Sequence, residues 1–179
     1  MTNPFKFKVA TLLRGPEADG LPQQLTQVGP APERIGVEMI AISQGAEVEV
    51  AATLTPLGGG ILVDADIASH VEGECVRCLE PLNWPLELHI SQVFANDPDF
   101  IVGDPDDEED AGSGDDVPLI HNDELDITQS VIDEVGLTLP FNPTCKGECK
   151  PLNIEGVTTG VSGEDKPTDL RWSGLEKFL

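Results

Sequence analysis

The residues of this chain best suited to chemistry sit in two short cysteine pairs, Cys75-Val-Arg-Cys78 and Cys145-Lys-Gly-Glu-Cys149, which account for all 4 cysteines. Thiols separated by two or three residues in a tight turn can aim both sulfurs at one ion. Two such turns meeting complete a tetrahedral thiolate site of the kind that holds zinc. A site built from Cys75, Cys78, Cys145 and Cys149 would take one Zn2+ and tie a C-terminal loop to the body of the protein. It would also bring Arg77, Lys146 and Lys150 beside the thiolates, where positive charge favours deprotonation. Two alternatives stay open. The stretch from Leu79 to Thr144 is far longer than the spacer of a compact zinc ribbon, which leaves room for reduced structural thiols. A dithiol redox function would need the first pair to open a helix after a buried strand, whereas Leu79-Glu-Pro81 suits a hairpin turn.

Other titratable residues carry a weaker signal. His70, His89 and His121 are scattered and keep no spacing to a nucleophile or a carboxylate partner. His70, five residues before Cys75, is the only plausible substitute zinc ligand, and the alternation around Glu87 places His89 on a solvent face. Asp104-Pro-Asp-Asp-Glu-Glu-Asp lacks the glycine and the terminal glutamate that an EF-hand calcium loop needs. No phosphate-binding loop, dinucleotide fingerprint or serine elbow is present, and no pair of carboxylates can be assigned acid and base roles. The chemistry therefore points away from an enzyme.

Charge limits the partners. The chain has 33 acidic and 10 basic residues, a formal net charge of −23. Binding nucleic acid over a broad surface needs Lys and Arg to replace condensed counterions, so wide contact with RNA or with an acidic membrane is disfavoured and basic proteins are favoured. No Lys or Arg occurs from Leu79 through Thr144, which concentrates the negative charge. No apolar run reaches the roughly 18 residues of a membrane span, and the N-terminus has no signal-peptide core. A cytoplasmic location and reduced cysteines are expected.

The elements that must position the cysteines are mostly strands. Phe5, Phe7 and Val9 alternate with Lys6 and Lys8 as a short strand. Gly15 to Pro32 reads as an irregular arm, and Ile35 to Ile42 as one strand with Val37, Met39 and Ala41 on a common face. Val48, Val50, Ala52 and Leu54 alternate cleanly, Pro56 to Gly60 makes a turn, and alternation resumes from Ile61 to Val71, which together spell a hairpin. Leu79 to Pro85 reads as a second turn and Leu86 to Phe94 as a third strand of an antiparallel meander. The acidic stretch at 103–116 is expected to be a flexible loop, because it cannot bury enough apolar surface to offset its ordering entropy. Val117 to Ile120 suggests a short strand. Asp126-Ile-Thr-Gln129 has capping-box spacing, and Ile127, Val131, Ile132, Val135 and Leu139 form a helical stripe that Pro140 must end. An irregular segment at 153–167 and a short helix at 170–179 complete the chain. The expectation is an α+β fold, with an antiparallel sheet of five or six strands, curled into a partial barrel, one main covering helix and long irregular segments.

Gly73-Glu-Cys75-Val-Arg-Cys78-Leu-Glu-Pro81-Leu resembles the first cysteine block of the YceD family, the large ribosomal RNA subunit accumulation proteins. Asp126 to Pro140 with Pro143-Thr-Cys145 is similar to the second block, and Asp169-Leu-Arg171-Trp172-Ser-Gly-Leu175 is similar to the closing segment. Many relatives carry a Gly-Leu-Cys-x-x-Cys-Gly type segment where this chain reads Gly147-Glu-Cys149-Lys-Pro151, and they usually have Pro where Leu170 stands. The resemblance implies a single domain spanning 1–179 and a non-enzymatic accessory role in synthesis, processing or stability of the large-subunit (23S) ribosomal RNA. Combined with the charge, it favours action through a basic ribosomal protein or assembly factor, with contact to RNA indirect. Arg77, Lys146, Lys150, Arg171 and Trp172 are the candidate contact residues. The alternatives are a zinc-binding module that grips RNA directly and a thiol oxidoreductase.

Overall fold

The computed structural model describes residues 3–14, 20–97 and 117–149. All of these belong to one compact unit, Met1–Cys149, and the second unit, Lys150–Leu179, lies outside them. In chain order, Lys6–Lys8 forms β1, Ala10–Arg14 α1, Gln23–Pro30 β2, Ile35–Val37 β3, Ile40–Ile42 β4, Glu47–Pro56 β5, Gly60–Glu74 β6, Pro81–Ala95 β7, Glu124–Asp126 β8 and Thr128–Thr138 α2. The fold is α+β. Every strand pairing is antiparallel, in a six-stranded sheet and a two-stranded one.

The two long strands β6 and β7 organise the sheet. They pair along their whole length, from Gly60 opposite Ala95 to Glu74 opposite Pro81. The other side of β6 is shared, its first half with β5 and its far end with β4. Strict alternation explains the pairing. In β5, Val48, Val50, Ala52 and Leu54 are buried, and in β6, Ile61, Val63, Ala65, Ile67 and Val71 join them on the same side. Helix α2 lies over β3 and β7 and contributes Val131 and Val135, with Ile127 and Leu139 at its ends. Burying each of these side chains stabilises the fold by roughly 1.5–3 kcal/mol. Because β2 and β7 remain separate edges, the sheet is open and is not a closed barrel.

The helix ends as its sequence dictates. Leu139 caps it with extended backbone (ψ 137°) one residue before Pro140. The start differs from the capping-box pattern. The Asp126 carboxylate accepts the Thr128 backbone N–H at 2.9 Å and the Thr128 hydroxyl, while Gln129 turns forward to Asp133. That is an Asx-turn leading into the helix, without the reciprocal bond of a capping box.

Several sequence expectations need correction. The arm at Gly15–Pro32 contains β2, an eight-residue edge strand paired with β5. Its inward residues Gln23, Leu25 and Gln27 are only half-buried, so it has little amphipathic signal. The single strand at Ile35–Ile42 is a hairpin, β3 and β4, turning at Glu38 and Met39. All of Ile40, Ala41 and Ile42 are buried, so no period of two exists there to read. The turn at Leu79–Pro85 is shorter, since β7 already begins at Pro81. Its two prolines are tolerated because β7 is an edge strand with N–H groups to spare. Val117–Ile120 makes an isolated parallel bridge, Leu119 to Ala95, in place of a strand. The acidic loop at 103–116, the segment at 153–167 and the closing helix at 170–179 lie outside the described residues.

Candidate metal centre

The first cysteine pair sits where β6 turns into β7. Glu74 and Pro81 are the last paired residues, and the chain between them is held by two backbone bonds. Cys75 donates its N–H to the Glu80 carbonyl at 2.9 Å, and Leu79 donates to the Cys75 carbonyl at 2.8 Å. Leu79 takes φ 57°, a left-handed conformation that costs a branched side chain roughly 1–2 kcal/mol. The turn thus stores strain beside the cysteines, as functional sites commonly do. It joins two antiparallel strands and does not open a helix, which is the arrangement the redox reading required. On the other side Gly73 packs under the β3–β4 turn, with a Cβ there placed 2.2 Å from the Met39 carbonyl oxygen, and only glycine fits.

The second pair follows α2. Pro143 is buried, and its carbonyl accepts the Val76 backbone N–H at 3.0 Å. This bond brings the two cysteine-bearing segments together although Cys78 and Cys145 are 67 residues apart in sequence. Lys146 adds a second contact, with its ammonium 5.9 Å from the centre of the Trp84 ring on β7, within cation–π range.

All four sulfurs meet. The Sγ atoms of Cys75, Cys78, Cys145 and Cys149 lie within 4.8 Å of one another. Cys75 and Cys149 are 3.7 Å apart, and Cys78 and Cys145 are 3.5 Å apart. A tetrahedron with metal–sulfur bonds of about 2.3 Å has edges of about 3.8 Å, so the donor set has the size and chemistry to hold a metal ion. Cys75 is fully buried and the other three are partly exposed. Burial pushes the Cys75 thiol up, but the backbone N–H groups of Arg77, Cys78 and Cys145, with the Cys78 thiol, hydrogen-bond its sulfur and bring it down to about 6. The thiols of Cys78 and Cys75, together with burial, push Cys145 up to about 12, and burial with the same two neighbours raises Cys149. The Cys75 sulfur thus favours the thiolate, and a cation binding here would have to draw the protons from Cys145 and Cys149.

The remaining candidates fall differently. Arg77 is exposed on the first turn, and Lys146 is exposed on the second. Lys150, Arg171 and Trp172 lie outside the described residues. His70 is exposed on β6 and is not among the clustered ligands, while His89 is exposed as expected and touches Asp66 at 2.9 Å. The contacts that Pro143 and Trp84 make are not legible in the sequence. The only signal for either was proximity in sequence to a cysteine or to Pro85. No helix among the described residues is long and apolar enough to cross a membrane.

Comparison with known proteins identifies the family. Residues 63–179 match the family model described as large ribosomal RNA subunit accumulation protein YceD, a span that includes all four cysteines. Uncharacterized proteins of Mycobacterium bovis and Mycobacterium tuberculosis are 32% identical over 185 residues, covering 100% of this chain and 83% of theirs. One of Mycobacterium leprae is 30% identical over 182 residues, covering 100% of this chain and 79% of its own. No solved structure matches. The chain belongs to the YceD family of large ribosomal RNA subunit accumulation proteins.

Proposed function

We propose that this protein is a non-enzymatic accessory factor for the large-subunit (23S) ribosomal RNA, acting through a basic ribosomal protein or assembly factor, with one structural Zn2+ in its cysteine centre. The observation that carries the structural half is the donor set. Four thiols at tetrahedral spacing leave no open coordination position, which is the mark of a structural zinc site and not a catalytic one. Zinc there would clamp the β6–β7 turn to the loop after α2. The family description supports the link to ribosomal RNA accumulation. A net charge of −23 favours a cationic protein as the immediate partner.

The test is capture from lysate at moderate salt with the tagged full chain, followed by identification of what is retained. Basic ribosomal proteins or precursor particles of the large subunit, enriched over a charge-matched control protein, are the expected result. Retention of neither contradicts the reading. A second reading, direct RNA contact, is favoured by one feature: exposed Arg77 and Lys146 on the two cysteine turns. Binding of 23S fragments that weakens steeply with salt would support it, and no binding at low salt would exclude it.

A further inference from the structure

The face of the sheet turned away from α2 carries a charge pattern that the cysteine centre does not explain. None of β2, β5, β6 and β7 contains a Lys or Arg. Their outward positions carry Glu49, Asp64, Asp66 and Glu87 in adjacent strands. The register sets Glu49 opposite Ala68 and Ala68 opposite Glu87, so two glutamates flank one alanine across three strands. One step along, Ala51, Asp66 and His89 stand in a row. The small side chains of Ala51 and Ala68 leave a hollow of about 450 Å³, rimmed by Glu49, Asp66, Glu87 and His89. Adjacent strands lie about 4.8 Å apart, which separates the Glu49 and Glu87 backbones by about 10 Å. A lysine or arginine side chain entering between them can reach both carboxylates. His89 engages Asp66 at 2.9 Å, while Glu49 and Glu87 have no ion-pair partner among the described residues.

The geometry points to this face as the docking surface for an extended, lysine- or arginine-bearing segment of a partner protein, one cationic side chain seating in the hollow over Ala51 and Ala68. The inference rests on the reading of the chain as an accessory factor for a basic protein and names the surface that reading leaves open. Charge complementarity selects the occupant: a polyanion is repelled here, and a neutral surface would leave the carboxylates without partners. The hollow is also separate from the cysteines. Ala68 lies in the middle of β6 and Cys75 just past its end, seven residues on and about 23 Å away at strand rise, so the two can be perturbed independently.

The experiment uses the full chain, labelled with 15N, and a deca-arginine peptide as probe. Amide shifts should cluster at Ala51, Asp66, Ala68 and His89. The double variant E49Q/E87Q should bind the peptide about three- to tenfold more weakly, the loss expected for two exposed charge pairs. Ala68→Arg, which fills the hollow with a cation of its own, should weaken it at least as much. D106N/D107N, which removes the same charge from the acidic stretch, should leave the Ala51–Ala68 shifts in place. Shifts confined to 104–116, or unchanged affinity in both E49Q/E87Q and Ala68→Arg, would overturn the inference. So would equal shifts from Mg2+ alone at matched charge, which would make the hollow a simple cation site. Lysate capture separates the two levels of the argument. If E49Q/E87Q captures ribosomal proteins as well as the wild type does, the docking face is wrong and the accessory role stands. If the wild type captures none, the accessory role fails, and the peptide titration alone decides the face.

Discussion

Replacing Gly73 with alanine should damage both the fold and the metal centre, and the structure sets the size of the effect. A Cβ at position 73 would sit 2.2 Å from the Met39 carbonyl oxygen and 2.8 Å from Cα and Cβ of Ile40. Two of these are backbone atoms, so no side-chain rotation relieves the clash. Reaching an ordinary carbon–oxygen contact of about 3.2 Å requires the β3–β4 hairpin to move by about 1 Å. That movement breaks the bond from the Glu74 N–H to the Met39 carbonyl, 3.1 Å long, and lifts Ile40 and Ile42 from the core. Overpacking costs about 1–3 kcal/mol and the lost hydrogen bond about 0.5–1.5 kcal/mol. The total of about 2–4 kcal/mol should lower the urea midpoint by roughly 1–2 M. Because Gly73 lies two residues before Cys75, zinc affinity measured by competition with a chromogenic chelator should fall about 10- to 100-fold, as for other residues that orient ligands. Gly136→Ala is the control: nothing lies within 4 Å of its added Cβ, and it sits in α2. It should stabilise the protein by about 0.5 kcal/mol. A Gly73→Ala variant as stable as the wild type would refute the close-approach argument.

Zinc content should be one ion per chain in protein purified without chelator, and both Cys78→Ser and Cys145→Ser should lose it while amide exchange quickens in Val76–Glu80 and Pro143–Cys149; a metal-free, fully protected wild type would reduce the cysteines to packing. In the metal-free protein, thiolate absorbance should show one group titrating near pH 6, Cys75, with Cys145 ionising only toward pH 12. The folded Cys75 thiol lies below its unfolded value of 9.0, so its contribution is complete above pH 9 and disappears as pH falls toward 6. Cys145 lies above its own unfolded value, so its contribution is lost as pH rises from 9 toward 12. The urea midpoint of the metal-free chain should therefore peak near pH 9, and a midpoint independent of pH from 6 to 11 would contradict these shifts. If the cysteine turns grip RNA, Arg77→Gln with Lys146→Gln should reduce the salt slope of RNA binding by about 1.4–1.8; an unchanged slope would leave these residues without a role in RNA contact.

What the sequence disclosed follows from burial. β5 and β6 were visible because one face of each is packed and the other solvated, which writes a period of two into the residues. The stripe of α2 was visible for the matching reason, and Pro140 marked its end. β2 was hidden because its inward side chains are only half-covered, and β4 because all three of its residues are buried. The pairing of β1 with β8 sets Lys6 opposite Asp126 and lets its ammonium reach Glu124, 118 positions away, and nothing local announces it. The cysteines were identified by type and spacing. Whether the two pairs meet depends on the Val76 to Pro143 bond and the course of two long strands, neither of which a spacing rule contains.

The charged residues divide the same way. Lys6 and Arg14 are engaged by Glu124, Asp126 and Asp123, so these cations serve the fold. Arg77 and Lys146 stay exposed at the cysteine turns, and Glu49, Asp66 and Glu87 stay exposed on the open sheet face. Arg77 and Lys146 are exposed beside Glu74 and Glu148, while β5, β6 and β7 themselves carry no Lys or Arg.

The ratio of 23S to 16S ribosomal RNA, measured in cells depleted of this protein and resupplied with it, tests the account most directly. The ratio should fall on depletion, return with the wild type, and stay low with Cys78→Ser at equal protein level. An undiminished ratio in depleted cells would contradict it.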